Sequence, residues 1–141
     1  MTMANTAEDA VLKAIFTNTS WALISDALGV AGSLYISLHT ADPGEAGTAV
    51  TSEATYTSYA RVAVARSAGG WTVSAPTVSN TALIQFPQCT GGTNTITHFG
   101  IVATSAGAGA LYFSGALSSS LAVSNGIQPQ FAPGALTVTV D

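Results

Sequence analysis

Few side chains in this sequence have the chemistry that catalysis requires. Its 141 residues include two histidines, His39 and His98, and one thiol, Cys89. A cysteine, a histidine and a third group that orients the histidine form the arrangement of a thiol hydrolase. His98 lies in a predicted strand and could approach Cys89 across a sheet, but no local motif marks either residue as catalytic. We therefore expect a buried thiol and a strand histidine, and no enzymatic activity.

The sequence also lacks the residues or spacing for other catalytic and ligand-binding sites. The sequence lacks the G-x-S-x-G motif of serine hydrolases. The carboxylates available for a glycosidase pair or a calcium site are Glu8, Asp9, Asp26, Asp42, Glu45 and Glu53. Helix capping and turn formation account for several of them, and their spacing matches no calcium-binding loop. The segment 107–109 (GAG) favours a hairpin turn over a phosphate loop, because no lysine or helix start follows it. We predict no catalytic residue, no metal site and no cofactor.

The charge of the chain is small and unevenly distributed. Charged residues make up 7% of the sequence, against about 25% in a typical soluble domain. The sequence contains three Lys and Arg residues and seven Asp and Glu residues, which gives a net charge of −4. After Arg66 the next charged side chain is Asp141. This balance excludes nucleic-acid binding through a basic patch, and the single cysteine excludes an internal disulfide framework.

The second half of the chain must build its polar surface from uncharged groups. The sequence holds 19 Thr and 15 Ser, which take the solvating role of Lys and Glu. Charge keeps free proteins soluble and apart, so this composition indicates a protein packed in an assembly or carried on a particle. A secreted, Thr-rich adhesive domain would have a similar composition. We expect no membrane partner, because the apolar stretch 21–36 is interrupted by Ser, Asp and Gly and the N-terminus is acidic and polar.

Only the beginning of the sequence predicts helix. Thr6 and Asp9 resemble a capping box, and four apolar residues then fall on one helical face: Val11, Leu12, Ile15 and Phe16. A second short helix over 21–28 would end at Gly29. These helices either pack on the core or form an arm, residues 1–33, that docks on a neighbouring subunit.

From Leu34 onward the apolar period changes from about four to two. Leu34, Ile36 and Leu38 alternate with polar or aromatic residues, as in a half-buried strand. The segment 42–44 (DPG) predicts a turn. Further strands are predicted at 57–66, 71–73, 82–86, 95–104, 111–113, 127–132 and 135–140. About eight short strands separated by turns predict a mainly β domain, residues 34–141, with an antiparallel jelly-roll or β-sandwich fold after a short N-terminal helix.

Aromatic and apolar side chains are the candidates for partner contacts, because no charged patch is available. We expect Trp71 to be in the core, whereas Tyr56 and Tyr59 could be core or surface residues. The candidate contact residues are Val11, Leu12, Ile15, Phe16, Trp21, Tyr56 and Tyr59.

Four segments resemble a family of small virion proteins from tailed bacteriophages. They are LYISLHTADPGEAGT (34–48), YTSYARVAVAR (56–66), GWTV (70–73) and THFGIVAT (97–104). Such proteins are often described as tail or tail-fibre proteins, and members of this size also resemble the jelly-roll cement, or decoration, proteins of the outer capsid. Residues 18–33 depart from the family pattern, since they are longer than the expected link.

This resemblance implies a structural role in the virion. The expected function is that of a cement protein, made in the host cytoplasm, that binds the outer capsid surface and bridges neighbouring major capsid subunits. A closed homodimer or trimer is the usual form of such proteins. The alternative is a tail or tail-fibre component involved in host attachment. Composition alone does not separate the head from the tail.

Overall fold

The computed structural model describes residues 5–19 and 32–140 as one helix and nine strands. The helix α1 spans Asn5–Phe16. The strands are β1 Ser33–His39, β2 Val62–Ala65, β3 Trp71–Ser74, β4 Thr77–Asn80, β5 Ile84–Gln85, β6 Asn94–Val102, β7 Leu111–Val123, β8 Gln130–Phe131 and β9 Thr137–Thr139. The protein is mainly β with a short N-terminal helix, as the sequence predicts.

The strands form antiparallel sheets in three groups. The largest sheet has the order β2-β1-β6-β7, a second has the order β3-β4-β9, and β5 pairs with β8. In the largest sheet, β1 and β6 pair so that Ser37 lies opposite Gly100 and His39 lies opposite His98. Jelly-roll connectivity stays a prediction. Within the described ranges, no helix is both long enough and apolar enough to span a bilayer.

The chain divides into two compact units. Unit 1 contains residues 1–33, 64–84 and 131–141, and unit 2 contains residues 34–63 and 85–130. The predicted domain boundary at residue 33 is one of the points where the chain passes from one unit to the other. The predicted separation of an arm from a sandwich over 34–141 stays a prediction.

In unit 1 the helix packs on strand β3 through an aromatic contact. Leu12 and Phe16 are fully buried. The ring of Phe16 meets Trp71 edge to face, with centroids 4.5 Å apart and planes at 68°, a geometry that aromatic quadrupoles favour. Trp71 is therefore a core residue, which confirms its predicted place.

The C-terminal end of α1 is held by an arginine. The Arg66 guanidinium donates through Nε to the carbonyl of Ile15 at 2.6 Å and through Nη2 to the carbonyl of Ala14 at 2.8 Å. The last carbonyls of a helix lack partners inside it and carry partial negative charge. Arg66 satisfies both needs, so the last charged residue before Asp141 has a structural role.

The loops that follow β4 depend on one buried amide. The Asn80 side chain donates through Nδ2 to the carbonyls of Ala82 and Ala132, at 2.8 and 2.9 Å. Its Oδ1 accepts the Leu136 backbone N–H at 2.9 Å. Three of the four bonds that an amide can make are thus used to hold neighbouring segments in unit 1.

Asn80→Ala is expected to lower the free energy of unfolding by about 1–3 kcal/mol, because it removes these bonds and leaves buried groups without partners. Urea denaturation measures the change. Ser74→Ala, at an exposed position of the same unit, is the control and should change the stability by less than about 0.5 kcal/mol. Equal stabilities for the two variants would contradict the role assigned to Asn80.

Several predicted boundaries are wrong, and the reasons are physical. Strand β4 was not predicted. The predicted strand 82–86 is shorter in the structure, where β5 spans only Ile84–Gln85. Ala82 is exposed, whereas Ile84 and Phe86 are buried. The predicted strand 57–66 begins only at Val62. In β1, Ser37 and His39 are buried as well as the apolar residues, because loop segments cover the second face of the strand. The predicted turns at Gly44 and Gly107 are confirmed, with φ of 69° and 73°.

Candidate functional site

Described residues of unit 2 line a groove on its surface. It has a volume of about 580 Å³. One side is the first half of β7, another is the loop 42–45, and His98 of β6 completes it. Its lining residues are Asp42, Gly44, Glu45, His98, Leu111, Tyr112, Phe113, Ser114, Gly115 and Ala116. We call it the β7 groove.

The loop at one side of the groove is shaped by its own sequence. The Gly44 N–H donates to Asp42 Oδ1 at 2.9 Å, which closes an Asx turn. Pro43 fixes the preceding φ, and Gly44 adopts φ of 69°, a conformation that glycine takes without strain. Asp42 thus supplies one carboxylate oxygen to the turn and keeps the other for contacts outside it.

The same loop is anchored beside the start of β7. The Ala49 N–H donates to the Gly109 carbonyl at 3.0 Å, and Thr48 forms an antiparallel bridge with Ala110. The bridge places the loop alongside the outer edge of the strand just before Leu111. The groove therefore lies between two segments joined by backbone hydrogen bonds.

A buried histidine fixes the far end of the loop. His39 is fully buried. Its Nδ1 lies 2.8 Å from the Thr51 carbonyl and its Nε2 lies 2.7 Å from Ser37 Oγ. A carbonyl only accepts, so Nδ1 carries the proton and Nε2 accepts from the serine hydroxyl. This neutral imidazole ties the loop to the sheet.

The pKa of His39 makes the stability depend on pH. Burial lowers this pKa below its ordinary 6.5, while the Thr51 carbonyl and Glu53 oppose the shift and Arg61 and His98 add to it. Between the folded pKa and 6.5 the unfolded chain therefore binds more protons than the folded one, so the stability contributed above pH 6.5 is lost as the pH falls.

We expect the free energy of unfolding to fall between pH 7.5 and pH 5.5, with a smaller fall in His39→Gln, which cannot titrate. Urea denaturation at both pH values measures this difference. An identical pH dependence in the two proteins would contradict the neutral, buried imidazole.

The ion pair between Arg61 and Glu53 joins the segment around Glu53 to the turn at 104–107. Arg61 Nε and Nη2 donate to Glu53 Oε1 and Oε2 at 2.6 and 2.8 Å. Arg61 also donates to the carbonyls of Thr104 and Gly107, each at 2.9 Å. The side chain of Arg61 is 2% exposed, and the hydrogen bond to Glu53 is the main cause that raises the pKa of the arginine. The pair acts as a structural clamp between two loops.

Tyr59 completes this clamp. Its hydroxyl donates to Glu53 Oε1 at 2.9 Å and accepts the Leu38 N–H at 3.1 Å. Burial is the main cause that raises the pKa of Tyr59, so the phenol keeps its proton. The charged groups of this region are thus engaged with one another beneath the loops.

Strand β7 is the edge of its sheet and carries no charge. It spans 13 residues, and within the described part of the chain no strand pairs with its outer side. Its side chains alternate between exposed and half-buried along 111–118. The register pairs Ile96 with Leu121 and His98 with Ala116, so four residues, 117–120, face the single residue Thr97. This is a β-bulge.

The predicted strand 111–113 is therefore too short, since it left Ser118–Ser120 outside any strand. These serines lie in a strand, because pairing with β6 on both sides of the bulge supplies the hydrogen bonds that serine's low strand propensity does not favour. The bulge explains why the local sequence resembles a loop. The result is a long edge strand with a regular first half, 111–116.

The side chains around the groove are polar and aromatic. Tyr112 is 51% exposed, and Asp42, Glu45 and Ser114 are exposed. His98 Nδ1 lies 2.8 Å from Thr97 Oγ1, which leaves Nε2 for other contacts. Among the described residues, no group of three His, Cys, Asp or Glu side chains lies close enough to hold a metal ion.

The two residues weighed as a Cys–His pair, Cys89 and His98, do not come together in this groove. Cys89 is 1% exposed, and its Sγ donates to the Gly91 carbonyl at 3.2 Å. The thiol is thus a buried, hydrogen-bonded group, as the sequence analysis expects. His98 lines the groove without it.

The candidate contact residues divide by burial. Leu12, Phe16 and Tyr56 are buried, and Val11, Ile15 and Tyr59 are half-buried. The rings of Tyr56 and Tyr59 pack at 71° with centroids 5.3 Å apart, and burial raises the pKa of Tyr56 to about 12. Trp21 and the second predicted helix, 21–28, lie outside the described residues. The buried residues among them pack in the core, which was one of the two alternatives for these side chains. The other alternative, contact with a partner, stays a prediction.

No local pattern in the sequence identifies the β7 groove. Its members come from three distant segments, which only the fold brings together. One signal was present: Tyr112 stands in an alternating segment with no charged neighbour, where an exposed aromatic side chain is unusual.

Comparison with known families identifies the class of this protein. The sequence matches, over residues 2–139, the model of a family described as Podophage GP4 fiber I protein gp80. The chain is therefore a bacteriophage structural protein and a virion component. It belongs to the Podophage GP4 fiber I protein gp80 family. A search of curated proteins gives no match.

Proposed function

We propose that the protein is a structural component of a virion fibre and takes part in attachment of the phage to its host. The observation that carries this proposal is the family match, which spans residues 2–139 and whose description names a fibre protein. That description supports the fibre alternative over the cement role on the capsid.

The chemistry of the chain agrees with a structural role rather than an enzymatic one. Three of the side chains that could take part in reactions are engaged in holding the fold: His39 with Thr51, Cys89 with Gly91 and Arg61 with Glu53. The other histidine, His98, lines the β7 groove without a thiol beside it. We propose that the protein is not an enzyme. Its surface after Arg66 lacks the charge that keeps free proteins apart.

The edge of β7 supports self-association as the mode of assembly. A free strand edge offers unpaired N–H and C=O groups to another chain, and proteins that avoid such pairing place charges or proline there. β7 contains neither, so two copies can pair without opposing like charges. We propose that the second half of β7, residues 117–123, pairs with the same segment of a second copy, which leaves the groove beside residues 111–116 open, and that the homo-oligomer is the form present in the fibre.

Lysine substitutions test this interface. Ser118→Lys with Ser120→Lys adds charge to the exposed part of the edge and is expected to shift the purified protein to monomer in sedimentation velocity. The matched control, Ser105→Lys with Ala106→Lys, places the same charge on an exposed turn of the same unit and should keep the wild-type state. A monomeric wild-type protein, or equal oligomers in both variants, would overturn self-association through β7.

Copy number separates the fibre from the capsid shell. Quantitative mass spectrometry of purified particles, with the major capsid protein as the internal reference, should give a few tens of copies for a fibre component. Hundreds of copies per particle would reject the fibre proposal and favour the cement role, since a cement protein must occupy repeated sites on the shell.

A further inference from the structure

The β7 groove combines hydrogen-bond acceptors, donors and an aromatic surface. Asp42 and Glu45 offer carboxylate oxygens, and Ser114 and His98 offer groups that can donate. Tyr112 presents a half-exposed ring among them. The groove volume of about 580 Å³ lies within the range of about 300–1,000 Å³ that small-molecule sites have.

This set of groups excludes several ligand classes. Two carboxylates and no lysine or arginine line the groove, so a phosphate, sulfate or carboxylate ligand would meet repulsion. A metal ion needs converging ligands, which the described residues do not supply. An organic cation would use the carboxylates and the ring but would leave the donors of Ser114 and His98 unused.

A ligand with several hydroxyl groups can use the carboxylates, the donors and the aromatic ring of the groove together. Each sugar hydroxyl both donates and accepts, so it can pair with a carboxylate on one side of the groove and with a hydroxyl or imidazole on the other. The C–H face of a sugar ring is apolar and packs against an aromatic ring. The carboxylates come from the 42–45 loop and the donors from β6 and β7, which suits a ligand with several hydroxyl groups rather than a single small ion.

The floor of the groove is held in place before any ligand arrives. A Cβ at Gly115 would lie 2.9 Å from Cε1 of Phe99, so the Phe99 ring packs directly over the glycine and fixes β7 against β6. The Asx turn at Asp42 and the Arg61–Glu53 clamp fix the loop at the other side. A preorganised site loses little conformational entropy on binding.

From these observations we infer that the β7 groove binds a neutral oligosaccharide, with one sugar ring stacked on Tyr112 and its hydroxyls bonded to Asp42, Glu45 and His98. The role of this site in host attachment rests on the proposed function, whereas the binding itself is a property of the isolated chain.

An oligosaccharide array tests the ligand class. The full-length purified protein is applied to immobilised neutral, acidic and amino oligosaccharides, and the affinity for the best neutral one is then measured by titration. We expect retention on neutral oligosaccharides. Retention only on acidic oligosaccharides, a preference for amino oligosaccharides, or no retention would overturn the inference.

Variants locate the site. Tyr112→Ala and Glu45→Gln should each weaken binding at least fivefold without changing the thermal midpoint, and Tyr112→Phe should keep most of the affinity because the ring remains. The control Ile127→Ala removes another exposed apolar side chain of unit 2 and should bind like the wild type. Undiminished binding by Tyr112→Ala would place the ligand elsewhere.

The outcomes for the groove and for the fibre are separable. Failure of the isolated chain to bind any oligosaccharide, together with a few tens of copies per particle, would reject only the saccharide site. Specific binding together with hundreds of copies on the shell would reject only the fibre proposal.

Discussion

Phe86→Ala is expected to lower the free energy of unfolding by about 3–5 kcal/mol, because the aromatic side chain is fully buried and its removal leaves a cavity. The ring of Phe86 stacks on Tyr59 with centroids 6.4 Å apart and planes at 10°. The backbone of the same residue donates to the Pro129 carbonyl at 2.9 Å, which limits how far the surroundings can collapse into the space. Urea denaturation with linear extrapolation measures the change.

Leu83→Ala is the control for this prediction. Leu83 is 49% exposed, so its truncation should cost less than about 1 kcal/mol, since surface substitutions rarely exceed that. A loss below about 1 kcal/mol in Phe86→Ala would mean that the ring does not occupy the core of unit 2.

Arg61→Met should cost a similar amount, about 3–5 kcal/mol, because it leaves the partly buried Glu53 carboxylate without its cation. The variant also removes the donors to the carbonyls of Thr104 and Gly107. The loss should be measured at pH 7, where the carboxylate of the unfolded chain is ionised.

Two further variants isolate the buried pair. Arg61→Met with Glu53→Leu should recover much of the loss, because apolar replacement of both partners removes the unpaired charge. Lys13→Met removes the cation of the exposed Lys13–Asp9 pair, whose side chains are 44% and 36% exposed, and should change the stability by less than about 1 kcal/mol. A cost for Arg61→Met no larger than that for Lys13→Met would contradict the clamp.

Local patterns in the sequence were sufficient to predict the elements whose apolar periodicity agrees with the burial of their side chains. The helix α1 was predicted from a cap and one apolar face, and its Leu12 and Phe16 are buried as that face requires. Strand β1 was predicted from its apolar alternation, although the burial of Ser37 and His39 on its other face was not. Turns at glycine were also predictable, since a positive φ is a local property of that residue.

The elements that depend on distant partners were not predictable in this way. β7 continues through three serines because β6 supplies its hydrogen bonds on both sides of a bulge. The Arg61–Glu53 clamp places two of the few charged residues under loops, although charged residues are normally exposed. Nothing in the spacing of 53 and 61 distinguishes a buried pair from two solvated side chains.

The candidate site shows the same limit. Asp42 was interpreted as a turn residue, Glu45 as a carboxylate without ligand-binding spacing and His98 as a strand residue, and these descriptions hold locally. What the sequence did not show is that the loop at 42–45 and strand β7 lie on two sides of one groove. The absence of charged side chains between Arg66 and Asp141, by contrast, was visible in the sequence. It indicated a protein packed in an assembly or carried on a particle, and the resemblance to virion proteins added the structural role in a phage.

The central claim is that this chain is built into a fibre of the phage particle, and its position in intact particles tests that claim most directly. Gold-labelled antibody raised against the purified protein, imaged on intact particles by electron microscopy, should mark the fibres and leave the head shell unlabelled. Labelling spread evenly over the head, with bare fibres, would contradict the claim.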